Sequence, residues 1–215
     1  MGDGDHPFAA IEQTFKKSVA AFDRAEVPFL LGGSLAIWAH GGPETRNDLD
    51  FMVKPEDAER ALEALVDVGM RPEHPTEEWL LKAWDGDVLV DLIHHPMGMT
   101  ITDEVISRGP RRSVAAMEVA VMAVEDVLAT KLLALGEHSL DLEGSLQLAR
   151  ALREQIDWAQ VRDATAASPF ARAFFVLLEG LGILPPEHDA PQAGAIREPR
   201  VRVITGGGSG AGAPG

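Results

Sequence analysis

Asp48 and Asp50 stand one residue apart in Arg46-Asn47-Asp48-Leu49-Asp50-Phe51-Met52-Val53. On a strand alternate residues share a face, so Asp48, Asp50 and Met52 point one way and Leu49, Phe51 and Val53 the other. Two rises of a strand span about 7 Å, so both carboxylates can reach one divalent ion or a close ion pair. Upstream, Phe29-Leu30-Leu31 reads as a buried strand that breaks at Gly32-Gly33. Ser34 is then predicted to cap a short helix through Ala36, Ile37 and Trp38. Backbone N–H groups at a helix start suit a phosphate, which assigns phosphate contact to Gly32, Gly33 and Ser34. Arg46, two residues before the first aspartate, supplies a cation for a nucleotide phosphate. Each piece alone has an ordinary reading as a turn or a solvated loop end. Together, a phosphate cradle and a metal-binding carboxylate pair imply nucleotide chemistry.

These residues resemble the signature of the nucleotidyltransferase superfamily, typified by DNA polymerase β and the aminoglycoside nucleotidyltransferases. That signature is an apolar strand, Gly-Gly or Gly-Ser, a spacer, Asp-apolar-Asp-apolar, and a third carboxylate on a later strand. Here it reads Leu31-Gly32-Gly33-Ser34, a 13-residue spacer, then Asp48-Leu49-Asp50-Phe51. The resemblance implies that Asp91, in Val88-Leu89-Val90-Asp91-Leu92-Ile93, is the third carboxylate. It is specific from Phe29 to Ile93 and extends more loosely to about Ala164. In that looser part, Glu125-Asp126-Val127-Leu128-Ala129-Thr130-Lys131-Leu132 looks like the first C-terminal helix of abortive-infection and related toxin-like members. The family pattern assigns Lys131 to triphosphate contact.

The resemblance further implies an α/β (α+β) fold, a mixed sheet flanked by helices and followed by a helical bundle. Asp48, Asp50 and Asp91 would be catalytic and would hold Mg²⁺ or Mn²⁺. The substrate would be a nucleoside triphosphate, giving up its nucleotidyl group to a hydroxyl acceptor with release of pyrophosphate. The acceptor stays open between a small molecule such as an aminoglycoside and a tRNA or protein hydroxyl. In the second case the enzyme would be toxin-like, with a cognate antitoxin as partner. A nucleotide-binding module without turnover is the remaining class. One observation is independent of the family: period two places apolar Leu89 and Ile93 on the face of Asp91. A carboxylate so placed on an inward face is costly unless a cation compensates it, and a metal would.

The elements that must position these residues follow from periodicity. Phe8, Ile11, Phe15, Val19 and Phe22 predict an amphipathic first helix. A second opens at Pro55 with Ala58, Ala61, Leu62, Leu65 and Val66 as its stripe and Gly69 as its C-cap. Trp79 to Trp84 and Val88 to Ile93 read as strands joined at Asp85-Gly86. A short helix over 101–108, a basic turn over 109–112 and a strand over 114–124 follow. Helical periods then run from Glu125 to Gly136 and over 144–155, 158–166 and 169–179. Adjacent His94 and His95 on a strand would point to opposite faces, leaving only His95 on the face of Asp91. The four tryptophans read as packing residues, Asp141 and Glu143 as solvated charges, and Arg150 and Arg153 as a solvated helix face.

Composition bounds the rest. The chain of 215 residues has no cysteine, so neither disulfides nor thiolate metal sites can form, and a cytoplasmic setting is the default expectation. No apolar run approaches the ~20 residues of a membrane span. A formal charge of −15, from 19 basic and 34 acidic side chains, works against non-specific nucleic-acid binding. The predicted organisation is a catalytic core over 1–124, a helical region over 125–184 and a Pro/Gly-rich tail over 185–215. The tail offers little apolar area against its ordering entropy. A chain ending at Leu184 should therefore melt within a few degrees of the full chain. A large drop would mean that Ile196 to Ile204, the one alternating apolar stretch there, docks as a strand.

Overall fold

Four phenylalanines decide how the N-terminal half packs. Helix α1 (Phe8–Arg24) buries Ile11, Phe15, Val19 and Phe22 along one stripe, as their spacing predicts. Phe15 stacks on Phe51 at 6.2 Å between ring centroids, and Phe22 and Phe29 meet the same ring edge-on at 5.1 and 5.5 Å. Phe29 belongs to β1 (Phe29–Leu31) and Phe51 to β2 (Leu49–Val53). Clamping Phe51 on this face commits Asp50, its neighbour, to the opposite one. The structure, a computed structural model, describes residues 8–43, 48–140 and 142–186. Arg46, Asp141 and the stretch 196–204 lie outside the described residues. The chain to Leu184 forms one compact unit, and beyond it only Pro185 and Pro186 are described.

The main sheet has five strands in the order β1-β2-β5-β4-β3, with β3 at Arg71–Glu73, β4 at Leu80–Asp85 and β5 at Val88–Ile93. β2 and β5 run parallel, and the other neighbours are antiparallel. The parallel pair needs a crossover. A 3₁₀ turn at Pro55–Asp57, helix α3 (Ala58–Asp67) and the β3–β4 pair supply it. Gly69 (φ +88°) closes α3 as its spacing implies, but Val66 points outward and Ala64 takes its place in the core. β3 carries no run of apolar residues and was not predicted; its partner strand β4 recruits it.

Helix α2 (Gly33–Ala39) follows β1, and α4 (Asp103–Ser107) is capped by Thr102. The single strand expected over 114–124 is instead half of a hairpin, β6 (Arg111–Val114) and β7 (Met117–Ala120). Ala115 and Ala116, both at positive φ, make its two-residue turn. Such a turn normally draws glycine or asparagine, so alanines gave no signal for it. The predicted basic turn contributes its two arginines to β6.

The C-terminal helices are α5 (Val124–Leu133), α6 (Glu143–Leu152), α7 (Trp158–Thr165) and α8 (Pro169–Gly180). One hydrophobic cluster runs from Ile11 through Leu128 to Leu178, so the sheet and these helices share a core. Among the described residues, no helix is long and apolar enough to cross a membrane. Asp126, in the first turn of α5, is 4% exposed and takes both arms of Arg108, Nε at 2.9 Å and a terminal nitrogen at 3.0 Å. Removing the guanidinium strands a buried carboxylate. Arg108→Ala should therefore lower unfolding free energy by about 2–4 kcal/mol, the upper end reduced because the arginine is itself half exposed. Urea unfolding with an unchanged midpoint would show that the pair contributes nothing.

Candidate active site

β2 and β5 set Asp50 and Asp91 side by side, since the two are direct partners in the parallel register. Neighbouring strands lie about 4.8 Å apart. Asp48 precedes β2 as an exposed residue and adds its charge to both. The three sequence-predicted carboxylates thus meet at one end of the parallel pair. Among the described residues, though, no three histidine or acidic side chains are close enough together to hold a metal ion.

Asp50 is held from above by Gly33. The Gly32 N–H donates to the Asp50 carbonyl at 2.8 Å, bringing the β1–α2 turn down onto β2. Gly33 sits at φ +53°, and a Cβ there would run into the Asp50 carboxylate, only 2.6 Å from Cγ. A glycine is required here twice over, for conformation and for space. Burial chiefly, then the charges of Asp91 and Asp48, pushes the Asp50 carboxyl up to about 7, while Lys131 and Lys82 pull the other way. Ser34 does not cap α2: the cap position falls on Gly32, with no side-chain bond. The Ser34 hydroxyl lies inside the first turn instead, buried and without a hydrogen-bond partner.

Asp91 departs from its predicted setting. Val88, Val90 and Leu92 form the fully covered face of β5, while on the other face Leu89 and Asp91 are only partly covered and Ile93 is buried. The compensating cation is a lysine of the neighbouring strand: Lys82 Nζ donates to Asp91 Oδ1 at 3.0 Å. Register makes this pair, because Lys82 lies directly opposite Asp91. Lys82 in turn opposes Glu73, whose carboxylate accepts from Trp84 Nε1 at 2.7 Å. Glu73, Lys82, Asp91 and Asp50 thus make one row across four strands. Burial still holds the Asp91 carboxyl above the usual aspartate range, against the hydrogen bond and charge of Lys82.

Asp50 and Gly33 open into a cleft of about 710 Å³. Lys131 and Thr130 of α5 form one wall, and the loop from His95 to Thr100 another. Met52, Met97, Met99, Met122 and Trp79 make much of the remaining lining apolar. Trp79, expected as packing, is 44% exposed at this cleft. The histidines lie just past β5 and do not diverge: their Nδ1 atoms are 2.6 Å apart. Only His95 lines the cleft. Of the predicted site residues, Gly33, Asp50 and Lys131 line this space, Gly32, Asp48 and Asp91 neighbour Asp50, and Ser34 is buried in the first turn of α2. Lys82 and the methionine-rich loop were missed.

The donor set suits a hard divalent cation. Asp48 and Asp50 offer anionic oxygens, and like-charge crowding on Asp50 is what a cation would relieve.

A family described as "Uncharacterised nucleotidyltransferase" matches residues 13–181. The crystal structure of ANT(2'')-Ia in complex with adenylyl-2''-tobramycin is similar in fold, with a TM-score of 0.52 and 20% identity. That likeness covers 76% of this chain and 98% of the other. The solution structure of the antibiotic-resistance factor ANT(2'')-Ia has a TM-score of 0.52 and 22% identity, over 80% and 96% of the two chains. No curated protein matches the chain. With the family match spanning most of its length, the chain belongs to this nucleotidyltransferase family and is an enzyme of that class.

Proposed function

We propose that the protein transfers a nucleoside monophosphate from a nucleoside triphosphate to a hydroxyl of a small molecule, with Mg²⁺ or Mn²⁺ bound at Asp48 and Asp50. The observation that carries this reading is Asp50: a carboxylate fixed under Gly33, crowded by two other aspartates, at the floor of a cleft whose wall holds Lys131. A divalent ion there supplies charge neutralisation of the phosphoryl oxygens during in-line displacement. Lys131 attracts the triphosphate, and the Gly33 turn lines the cleft where a phosphate oxygen can be met. Asp91 orients the acceptor hydroxyl toward the α-phosphorus and accepts its proton as that oxygen forms the new P–O bond, the bond from the α-phosphorus to the bridging oxygen breaks, and pyrophosphate leaves.

Cleft chemistry favours a small acceptor over a polynucleotide. Its lining carries few cations and many apolar groups, and the chain is strongly acidic. The adenylylated tobramycin in the similar ANT(2'')-Ia structure makes ATP the first donor to test. Labelled ATP, GTP, CTP and UTP should be incubated with Mg²⁺ against hydroxylated small molecules, aminoglycosides included, and total tRNA. Label on a small molecule with stoichiometric pyrophosphate supports the proposal. Label on tRNA or on protein would move the enzyme to the toxin-like class.

A further inference from the structure

We infer that Lys82 occupies a built-in cation position at Asp91, so that the protein itself binds one divalent ion, at Asp48 and Asp50, and not two. This inference rests on the metal-dependent reading above and names which of its carboxylates are ligands.

Three observations carry it. The first is the contact: Lys82 Nζ stands 3.0 Å from Asp91 Oδ1, with both side chains largely covered, at 22% and 15% exposure. The second is its origin in the hairpin register, which sets Lys82 against Asp91 and therefore does not depend on a chance surface rotamer. Glu73 on the far side of Lys82 is anchored by Trp84, and the Arg71 guanidinium lies over that indole at 5.6 Å, so the lysine sits in a braced row. The third is the asymmetry between the aspartates. Asp91 has a cation in hydrogen-bonding contact, whereas among the described residues no hydrogen bond or ion pair reaches the Asp50 carboxylate, which lies under Gly33 at the cleft.

A second protein-held ion would have to displace an ammonium from a partly desolvated ion pair while adding two positive charges beside the first. Any further ion must arrive with the triphosphate. Lys82 is thus a positioning residue: its hydrogen bond engages the Asp91 carboxylate, the direct strand partner of Asp50.

The test is a count of Mn²⁺ ions bound in the absence of nucleotide, read from the free-ion EPR signal during titration. The intact protein should bind one ion, and Asp91→Asn should still bind one. Lys82→Met should bind two, and the Lys82→Met, Asp91→Asn double variant one again. Lys82→Arg should restore the single-ion count. Two ions on the intact protein, the second lost in Asp91→Asn, would overturn the inference while leaving the metal-dependent function standing. No ion on the intact protein would defeat both. Should Lys82→Met fail to fold, the intact protein and Asp91→Asn decide the question alone.

Discussion

Asp50→Asn is expected to abolish nucleotidyl transfer and at the same time to stabilise the metal-free protein above neutral pH. The stability effect follows from the Asp50 carboxyl, pushed from 3.8 to about 7, first by burial and then by Asp91 and Asp48. In the unfolded chain the same group ionises at its ordinary value. Between about pH 4 and 7 the unfolded state therefore gives up this proton before the folded state does. Folding stability falls as pH rises through that window, by up to about 4 kcal/mol, and is fully retained below it. An asparagine has no proton to lose, so the variant should lack this slope. Transfer should fall by on the order of 1,000-fold or more, because a carboxylate that holds the cation contributes several kcal/mol to the transition state. Thermal melts in EDTA at pH 5 and pH 8, beside a labelled-nucleotide assay in Mg²⁺, measure both. A variant with the parent's pH slope, or with normal turnover, would remove Asp50 from the site.

The same residues show how far the chain could be read before folding. Helices were legible because their apolar stripes bury as spaced: Ile11, Phe15, Val19 and Phe22 in α1, and Val127, Leu128 and Leu132 in α5. The dyad and its glycines were legible because their chemistry is local. Lys82 was not, because the pattern predicted two strands and a turn but not the register between them. A turn at Asp85-Gly86 would pair Trp84 with Asp87 and set Leu80 against Asp91. The observed turn at Gly86-Asp87 pairs Asp85 with Val88 and sets Lys82 there instead. Register errors of this size exchange every cross-strand partner. α1 settles it: Thr14 Oγ1 and Lys17 Nζ hold the Asp85 carboxylate at 3.0 and 2.7 Å, a long-range contact that no local pattern announces. The role of Ser34 was misread for a related reason. Gly32 takes the cap position and Gly33 turns after it at positive φ, leaving the Ser34 hydroxyl two residues further in and without a partner.

Gly33→Ala should therefore damage activity far more than stability. Two costs coincide at this position. A left-handed backbone (φ +53°) disfavours any L side chain by about 1 kcal/mol, and the new methyl must displace the Asp50 carboxylate. Asp50 cannot yield through its backbone, because the Gly32 N–H bonds its carbonyl at 2.8 Å and Phe51 next to it is locked among Phe15, Phe22 and Phe29. The side chain must rotate instead, off the position from which it would hold the cation. Unfolding free energy should drop by about 1–3 kcal/mol, which leaves the protein folded, while displacement of a catalytic group by about 1 Å costs on the order of 100-fold in rate. Gly32→Ala is the matched control. Gly32 has an ordinary extended backbone (φ −110°), and its Cβ would meet chiefly the flexible end of Met52, which can swing aside. That variant should keep activity within about tenfold of the parent, since a methionine side chain adapts at little cost. Denaturant unfolding and initial rates on the two variants separate the effects. If Gly33→Ala turns over at the parent's rate while folded, the carboxylate beneath it is not the one that works, and the dyad must act through Asp48 alone.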